Sequence, residues 1–383
     1  MTSGIKVGLL LHFYQPWWQF EDVLARIADE CYRPIFRWLE TRPGFAFSAN
    51  INWSLLELLR KHGHDDLVAS MAQAVSRGKV ELFGTAAHHP ILPLLEDEES
   101  ARQIAHDRDS KKAIGFPDRN CDGFYLPEYA YSSAVIKPLK TAGFQFTVTD
   151  DAIFGAQHGY VPFERIPRTN GLMVFLRSRK WGNAIAGGSY DFDRFNAEFV
   201  HGIRSWFGGR DGYVILATDA ETFGHHHKRL IEWLLKPMIE NWAKPHSPVD
   251  IAPFHRLAAM FDQDWNNVSL PPGSWSTEAH DFVRGDHFPL WNSPGNIYHE
   301  ALWNLVKVAR QYGSIPEAKE DVLKMLSSCC WWQVSGRPNF NPRLMMLGAR
   351  KALEIIHRFA DPAKIYEGQQ AYDALLRLQG VNR

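Results

Sequence analysis

Two short stretches of this chain place carboxylates directly after apolar runs. Residues 123–132 read GFYLPEYAYS and contain Glu128, whereas residues 213–227 read YVILATDAETFGHHH and contain Asp219 and Glu221. Because Asp219 and Glu221 are two positions apart, an extended segment points both to one side, where one of them can face Glu128. Two carboxyl groups in a partly dry cleft acquire different pKa values, so that one can serve as nucleophile and the other as acid/base. Glycoside hydrolysis with retention of configuration needs such a pair, about 5–5.5 Å apart.

The residues around Glu128 also allow a plainer interpretation. Residues 124–126 have the apolar, β-favouring character of a short buried strand, and Pro127 cannot donate to a sheet, so the strand should end there. Glu128 then lies just past the end of the strand, where parallel α/β folds place their chemistry. Alternatively, Glu128 caps a helix that begins near Ser132. The residues alone leave both interpretations open.

The elements that must position these carboxylates alternate between strands and helices. Seven short apolar runs predict strands at residues 6–11, 45–51, 79–83, 123–126, 144–148, 172–176 and 213–217. Amphipathic segments between them predict helices, among them residues 20–40, 54–76, 98–112, 132–142 and 194–206. This alternation predicts an α/β fold with a parallel sheet, most simply an incomplete seven-stranded (β/α)7 TIM-like barrel, one strand short of the usual eight.

Polar side chains follow every one of these predicted strands. Right-handed crossovers place the carboxyl ends of parallel strands at the same rim, so we expect these side chains to gather around one cleft. In chain order they are His12, Tyr14, Gln15, Asn50, Asn52, His88, His89, Glu128, Asp150, Asp151, Arg177, Arg179, Asp219 and Glu221.

The chain changes character after the last predicted strand. Residues 245–292 are rich in Pro, Gly, Trp and His, and we expect them to form a cleft-side insertion of the barrel domain, residues 1–292. Within it, residues 274–291 read SWSTEAHDFVRGDHFPLW and either line the site or form a packed irregular loop. Residues 293–383 carry helical periodicity, which predicts a C-terminal helical bundle packed on the barrel.

Composition limits the partners of the protein. The chain has 42 basic and 43 acidic residues, a formal net charge of -1, so no overall field attracts nucleic acid or an anionic membrane. Its 14 Trp, 12 Tyr and 24 Phe offer flat faces on which sugar rings can stack. The four cysteines lack zinc-site spacing, and we expect them to be reduced in a cytoplasmic protein.

Five motifs in chain order resemble those of glycoside hydrolase family 57, the retaining α-glucan-active amylases and glucanotransferases. They are HFYQP at residues 12–16, ELFGTAAHHPILPLL at 81–95, GFYLPEYAYS at 123–132, TDAETFGHHH at 218–227, and a weaker one within 274–299. The resemblance implies a seven-stranded barrel followed by a helical domain. It also implies double displacement, with Glu128 as nucleophile and Asp219 as general acid/base, on α-linked glucans or oligosaccharides.

A wider set of residues is expected to hold the carbohydrate. These candidates are His12, Gln15, Trp17, His88, His89, Tyr129, Arg177, Glu221, Trp275, Asp286 and Trp291. Within this set, ring stacking is expected of the three tryptophans. Arg177 is expected to keep Glu128 ionised by charge proximity. We expect no cofactor and no metal; the oligomeric state and the choice between hydrolysis and transglycosylation stay open.

The sequence also allows other interpretations of the protein's function. Asp150 and Asp151 resemble the paired acids of metal-dependent polysaccharide deacetylases, but His88 and His89 are adjacent rather than one helical turn apart, as such enzymes need. His225–His227 suggest a metal, although three consecutive side chains of a regular element do not converge on one ion. A non-catalytic carbohydrate-binding relative would have lost one of the acids, and both are present here. Activity on α-galactosides also stays open.

Overall fold

The computed structural model describes residues 4–117, 121–262, 265 and 267–381. Within these residues the chain forms nine strands, of which the long central ones are almost wholly buried. The strands are β1 Ile5–Phe13, β2 Phe47–Ile51, β3 Val80–Leu82, β4 Gly123–Tyr125, β5 Phe146–Asp150, β6 Arg168–Thr169, β7 Leu172–Arg177, β8 Gly212–Asp219 and β9 Val249–Ile251.

Seven of these strands form the predicted parallel barrel, in the order β3-β2-β1-β8-β7-β5-β4. β3 and β4 are joined beside their ends by an isolated bridge between Gly84 and Phe124, where the N–H of Gly84 donates to Gly123 at 3.0 Å and Tyr125 donates back to Gly84 at 2.8 Å. A Cβ at Gly84 would lie 2.4 Å from the ring of Phe144, so this close approach requires glycine. The prediction of seven parallel strands is therefore confirmed.

Helices surround the barrel and make up most of the C-terminal region. They are α1 Glu21–Ile27, α2 Arg33–Thr41, α3 Trp53–Lys61, α4 Asp65–Ser76, α5 Asp97–Ala113, α6 Ile136–Thr141, α7 Asp151–His158, α8 Arg179–Ala186, α9 Phe192–Phe207, α10 Lys236–Trp242, α11 Phe254–Phe261, α12 Ala279–Arg284, α13 Ile297–Ala309, α14 Pro316–Met325, α15 Cys329–Trp332, α16 Pro342–Phe359 and α17 Pro362–Val381. Within the described residues, every helix is too short or too polar to cross a lipid bilayer.

The barrel interior is filled by apolar side chains below the cleft. Residues two apart on a strand share a face, so Leu10 lies beneath His12 on β1 and Ile215 lies on the Asp219 side of β8. Helix α11 adds Phe254, whose ring contacts those of Phe83 directly after β3, Phe146 on β5 and Phe175 on β7. Strand β9 pairs with the first residues of β1. Residues 249–261 thus close the end of the barrel opposite the cleft, which differs from the cleft-side position expected for the whole of 245–292.

Helices α13–α17 form the expected helical region, with a core around Trp331 and the buried faces of α13 and α16. Trp303 stacks on Trp331 with ring centroids 4.2 Å apart. The same cluster takes in Ile91, Ala130 and Trp291, which precede residue 293. A boundary between residues 292 and 293 stays a prediction, because the apolar core runs across it.

Candidate active site

A cleft of about 400 Å³ opens at the rim where the barrel strands end. Its walls come from the ends of β1, β4, β7 and β8, from α8, from the segment around Trp275, and from α15 of the C-terminal region. The lining residues are His12, Tyr14, Gln15, Pro16, His89, Tyr125, Glu128, Tyr129, Arg177, Gly182, Asn183, Ala186, Ala217, Thr218, Asp219, Glu221, His226, Trp275, Cys329 and Trp332. Both predicted catalytic acids therefore face the same space.

Glu128 follows β4 in a strained backbone conformation. Pro127 ends the strand, and Glu128 and Tyr129 have φ values of 59° and 51°, in the left-handed region that non-glycine residues rarely adopt. The N–H of Trp275 approaches the carbonyl of Glu128 at 3.4 Å and supports this turn. The short 3-10 helix that follows, Ser133–Val135, leads into α6 and is capped by the hydroxyl of Ser132, which accepts from the N–H of Ala134 at 3.3 Å. The capping interpretation of Glu128 is therefore wrong.

The Glu128 carboxylate is mostly buried, with 21% of its side chain exposed. The indole N–H of Trp275 donates to Oε2 at 2.6 Å, and the Ser328 hydroxyl lies 3.5 Å from Oε1. Burial raises the pKa of Glu128 to about 7; the bond from Trp275 opposes this rise, and the charge of Asp219 adds to it. Glu128 is thus a carboxyl group that changes charge near neutral pH.

Asp219 is the last residue of β8 and pairs in register with His12 of β1. Its side chain is exposed to the cleft. The negative charge of Asp219 raises the pKa values of Glu128 and Glu221, second to their burial, and counteracts the lowering of the His12 pKa by burial. Asp219 is therefore electrostatically coupled to the other titratable groups of the cleft.

Glu221 lies two residues after Asp219, in the short turn Ala220–Thr222, and is almost fully buried. Its carboxylate accepts from the side-chain amide of Gln15 at 2.9 Å and from the hydroxyl of Tyr32. Burial, followed by the charge of Asp219, raises the pKa of Glu221 to about 8. Glu221 thus anchors the cleft wall through two donors and borders the cavity.

Four aromatic rings form a stack along one wall of the cleft. The ring centroids are 4.5 Å apart for His12 and Tyr125, 4.9 Å for His12 and His89, and 4.1 Å for His89 and Tyr14. Burial lowers the pKa of both histidines, that of His89 well below its ordinary value. His12 Nδ1 donates to Asn50 at 2.7 Å. Neutral imidazoles that border a cavity are suited to binding hydroxyl groups.

Arg177 borders the cleft but does not support Glu128 as expected. Its guanidinium lies 3.5 Å from the Asp150 carboxylate, donates to Asn183 at 3.0 Å, and lies over the ring of Tyr129 with 5.0 Å to the centroid. Asp150 also accepts from Arg179 at 2.8 Å. The expectation that Arg177 keeps Glu128 ionised by charge proximity is therefore wrong, because Arg177 pairs with Asp150 instead.

Four of the predicted carbohydrate-binding residues lie outside the cleft. Trp17 contacts Trp18 edge-on and lies under the ammonium of Lys351. His88 donates to the carboxylate of Glu320 on α14 at 3.1 Å, Asp286 accepts from Ser293 at 2.6 Å, and Trp291 is fully buried in the C-terminal core. The structure brings together the remaining predicted residues, which are His12, Gln15, His89, Glu128, Tyr129, Arg177, Asp219, Glu221 and Trp275.

Within the described residues, one group has side chains close enough to hold a metal ion. The ligand atoms of His88, His106 and Glu320 all lie within 4.8 Å of one another. Glu320 is already bonded there, because it lies 3.1 Å from His88, 2.9 Å from His106 and 3.1 Å from the ammonium of Lys324. This cluster therefore forms an ion-pair network that joins α14 to α5 and to the loop after β3, away from the cleft.

The three consecutive histidines point to different partners. His225 lies 2.7 Å from Glu30, His227 lies 2.9 Å from the carbonyl of Ala186, and His226 borders the cleft. This agrees with the expectation that three consecutive side chains do not converge on one ion.

The sequence did not single out several residues of the cleft wall. Asn183 comes from α8, a helix absent from the prediction, whereas Cys329 and Trp332 come from the C-terminal region. Within the CCWW run at residues 329–332, Trp331 lies in the C-terminal core and Trp332 borders the cleft.

Comparison with known sequences finds one matching family profile and relatives of similar sequence. The profile of glycosyl hydrolase family 57 matches residues 10–246. The α-amylase of Pyrococcus horikoshii is 28% identical over 146 residues, which are 38% of this chain and 22% of that protein. The 4-α-glucanotransferase of Thermococcus kodakarensis is 28% identical over 146 residues, 38% of this chain and 21% of that protein. The matched segment thus spans about a fifth of the length of these relatives.

Solved structures share the fold at lower sequence identity. The 4-α-glucanotransferase of Thermococcus litoralis superposes with a TM-score of 0.73 at 17% identity, covering 93% of this chain and 60% of that one. The family 57 branching enzyme of Pyrococcus horikoshii superposes with a TM-score of 0.68 at 17% identity, covering 98% and 95%. Taken with the profile match over residues 10–246 of 383, these comparisons show that the chain belongs to glycosyl hydrolase family 57.

Proposed function

We propose that the protein is a retaining glycosidase or transglycosylase that acts on α-linked glucans or oligosaccharides. One observation carries the proposal: the strand-end carboxyl groups Glu128 and Asp219 border one cleft and are electrostatically coupled there. Relatives named α-amylase and 4-α-glucanotransferase supply the substrate class. A carbohydrate is therefore the proposed partner.

In the first step of the proposed reaction, Glu128 attacks the anomeric carbon of the sugar. The glycosidic bond breaks, its electron pair stays on the leaving oxygen, and Asp219 gives that oxygen its proton. An ester between Glu128 and the sugar remains. The exposed position of Asp219 at the cleft supports its role, because a proton donor needs access to the leaving group and to the incoming acceptor.

In the second step, Asp219 acts as a base. It takes a proton from water or from a sugar hydroxyl, whose oxygen attacks the anomeric carbon and releases the Glu128 carboxylate. Water gives hydrolysis, and a sugar gives transglycosylation. The neutral His12 and His89, the buried Glu221 and the faces of Trp275 and Trp332 are the proposed sugar-holding groups.

The deacetylase alternative has less support from the contacts of its proposed residues. Asp150 accepts from Arg179 and from the N–H of Ala152, and pairs with Arg177, so its carboxylate is engaged by the protein. The two acids lie at the start of α7 rather than among the residues that line the cleft. We therefore favour glycoside chemistry over metal-dependent deacetylation.

Replacement of Glu128 by Gln tests the proposal. The E128Q variant and the parent protein are incubated with a panel of α-linked glucosides and galactosides, and product formation is followed by chromatography. We expect at least a roughly thousandfold loss of activity, since the covalent step loses its nucleophile. The control is E317Q, the same change at an exposed glutamate outside the cleft, which should retain activity. Full activity of E128Q would contradict the assignment.

A further inference from the structure

Ser328 approaches Glu128 from the C-terminal helical region, 200 residues later in the chain. It lies between α14 and α15, and only 1% of it is exposed. Its hydroxyl oxygen is 3.0 Å from Nδ1 of His89 and 3.5 Å from Oε1 of Glu128. Its N–H donates to the carbonyl of His89 at 3.0 Å. One buried residue therefore contacts two residues of the barrel rim.

Both of these rim residues have strained backbones. His89 has a φ of 56° and Glu128 a φ of 59°, conformations that persist only where surrounding contacts hold them. Ser328 binds the carbonyl of His89, and Trp275 approaches the carbonyl of Glu128. The same two residues supply side-chain donors to the carboxylate of Glu128, Trp275 to Oε2 and Ser328 to Oε1. Each carboxylate oxygen thus has a donor from outside the barrel strands.

We propose that Ser328 is a positioning residue for the reaction, holding Oε1 of Glu128 ionised and aimed at the sugar through a chain that starts at His89. This inference rests on the proposed function, because it takes Glu128 as the nucleophile. In the chain, His89 Nδ1–H donates to the Ser328 oxygen, and the Ser328 hydroxyl donates to Oε1. Nε2 of His89, which has no hydrogen-bond partner among the described residues, then remains as an acceptor.

The two bonds to Glu128 differ in length, and this assigns different tasks to its oxygens. Oε2 is held by the indole of Trp275 at 2.6 Å, whereas Oε1 receives the longer bond of 3.5 Å from Ser328. At 3.5 Å the contact from Ser328 is weaker than the bond from Trp275, so it favours the charged form while holding Oε1 less firmly than Oε2. In the proposed reaction Oε1 therefore forms the ester, and Oε2 fixes the carboxylate in place.

The Ser328 bond matters because Glu128 titrates near neutral pH. The bond lowers the pKa of Glu128, against the larger raising effect of burial. Loss of the hydroxyl should therefore leave less ionised Glu128 at acidic pH. The titratable groups that face Glu128 from neighbouring elements are Asp219 on β8, His89 after β3, Tyr14 after β1, Tyr125 on β4 and Cys329 on α15.

The test is the pH profile of kcat/KM for S328A, with S328T as the conservative variant. We expect S328A to shift the acidic limb to higher pH, with a roughly twofold to threefold loss below pH 7 that shrinks at alkaline pH. S328T keeps the hydroxyl and should restore the parent profile. S327A is the control: it removes an equally buried hydroxyl that contacts Tyr14 at 3.1 Å, and its acidic limb should coincide with that of the parent.

A second readout follows Glu128 alone: the pH dependence of inactivation by an epoxide-bearing mimic of an α-glucoside should shift in the same way. An S328A profile that coincides with the parent, or that is lower by one factor at every pH, would overturn the proposal. If S328A fails to fold, S328G removes the same hydroxyl and is judged by the same criteria. A fully active E128Q would instead refute the proposed function, so the two failures are distinguishable.

Discussion

At the scale of single residues, burial and hydrogen bonding act in opposite directions on the pKa of Glu128. Burial disfavours the charge of the carboxylate, and the indole of Trp275 favours it, with the net result that the pKa rises to about 7. A nucleophile must be ionised when it attacks, so the free protein should be most competent where Glu128 has lost its proton.

The pH dependence of kcat/KM follows from this balance. We expect kcat/KM to fall as the pH decreases through about 7, because protonated Glu128 cannot attack. Trp275→Phe removes the donor that lowers this pKa, so the acidic limb should move to higher pH. Steady-state kinetics between pH 5 and 9 measure both effects. The control is Trp233→Phe, an exposed indole outside the cleft lining. A limb that stays in place in W275F would contradict this electrostatic account.

Glu128 should also make the folded protein less stable at high pH. Its pKa is raised from 4.5 to about 7 on folding, so the folded state binds the proton more tightly. The contribution to stability is present below pH 4.5 and is lost as the pH rises through 7. We expect Glu128→Gln to raise the free energy of unfolding at pH 8 by an amount on the order of 1–3 kcal/mol.

Thermal unfolding of E128Q and the parent at pH 5 and pH 8 measures this effect. The difference in Tm should be larger at pH 8, and E317Q should show no comparable change. An E128Q variant that is no more stable than the parent at pH 8 would contradict the prediction. It would mean that the buried charge of Glu128 does not lower the free energy of unfolding.

At the scale of elements, the single turn of α15 places one tryptophan in the C-terminal core and the next one at the wall of the cleft. Trp331 is 1% exposed and stacks on Trp303 in the C-terminal core, whereas Trp332 is half-buried and borders the cleft. Trp331→Ala should lower the free energy of unfolding by about 3–5 kcal/mol, as expected for a large buried ring. Trp332→Ala should change stability less and lower kcat/KM by roughly tenfold, through lost apolar contact with the sugar.

These two neighbouring variants serve as each other's control. Denaturant unfolding and steady-state kinetics on both should separate stability from substrate binding. If W332A lost stability as W331A does while keeping its KM, the assignment of Trp332 to the cleft wall would be wrong.

The strands were predictable because each of the seven is a short apolar run that ends before polar residues. β6 and β9 were not predicted, since Arg168–Thr169 spans two residues and Val249–Ile251 three, too few for a periodic signal. The predicted helix 54–76 is broken into α3 and α4 around Gly63, which has a φ of 79°. Local turn chemistry of this kind overrides helical periodicity.

The position of residues at the ends of predicted strands identified some residues of the candidate site but not those from the helical region. His12 and Asp219 lie at the carboxyl ends of their strands and Glu128 lies shortly after β4, so the barrel topology alone brought them together. Ser328 and Trp332 come from a helical region whose docking on the barrel depends on contacts between residues far apart in sequence. His88 follows a strand like His89, but a left-handed backbone at His89 places the two rings on different partners.

At the scale of the whole molecule, polar contacts join the barrel to the C-terminal helices. Glu320 on α14 lies 3.1 Å from His88 and 2.9 Å from His106, and its pKa is lowered by these histidines against the raising effect of burial. Glu320→Gln should therefore destabilise the protein at pH 7 by about 1 kcal/mol, a modest value because 38% of the side chain is exposed.

The sign of the pH dependence provides the check on E320Q. A lowered carboxyl pKa contributes stability above its unfolded value of 4.5, and that contribution is lost as the pH falls below it. Denaturant unfolding should show a difference at pH 7 that shrinks at pH 4. The control is Asp321→Asn, the adjacent acid that pairs with Lys351 at 3.1 Å and should change stability by less. An equal effect of both variants would refute a special role for the network.

Barrel and helical region together line the cleft around Glu128, and the central claim of the proposed mechanism is a covalent bond between the sugar and Glu128. The direct measurement is mass spectrometry of Asp219→Ala incubated with a 4-nitrophenyl α-maltooligoside, whose good leaving group needs no proton donor. The sugar ester should then accumulate, since its hydrolysis lacks the base. We predict a glycosyl mass increment on the peptide that contains Glu128 and none in the E128Q/D219A double variant. A label on a peptide without Glu128, or a product of inverted configuration from the parent protein, would contradict the account.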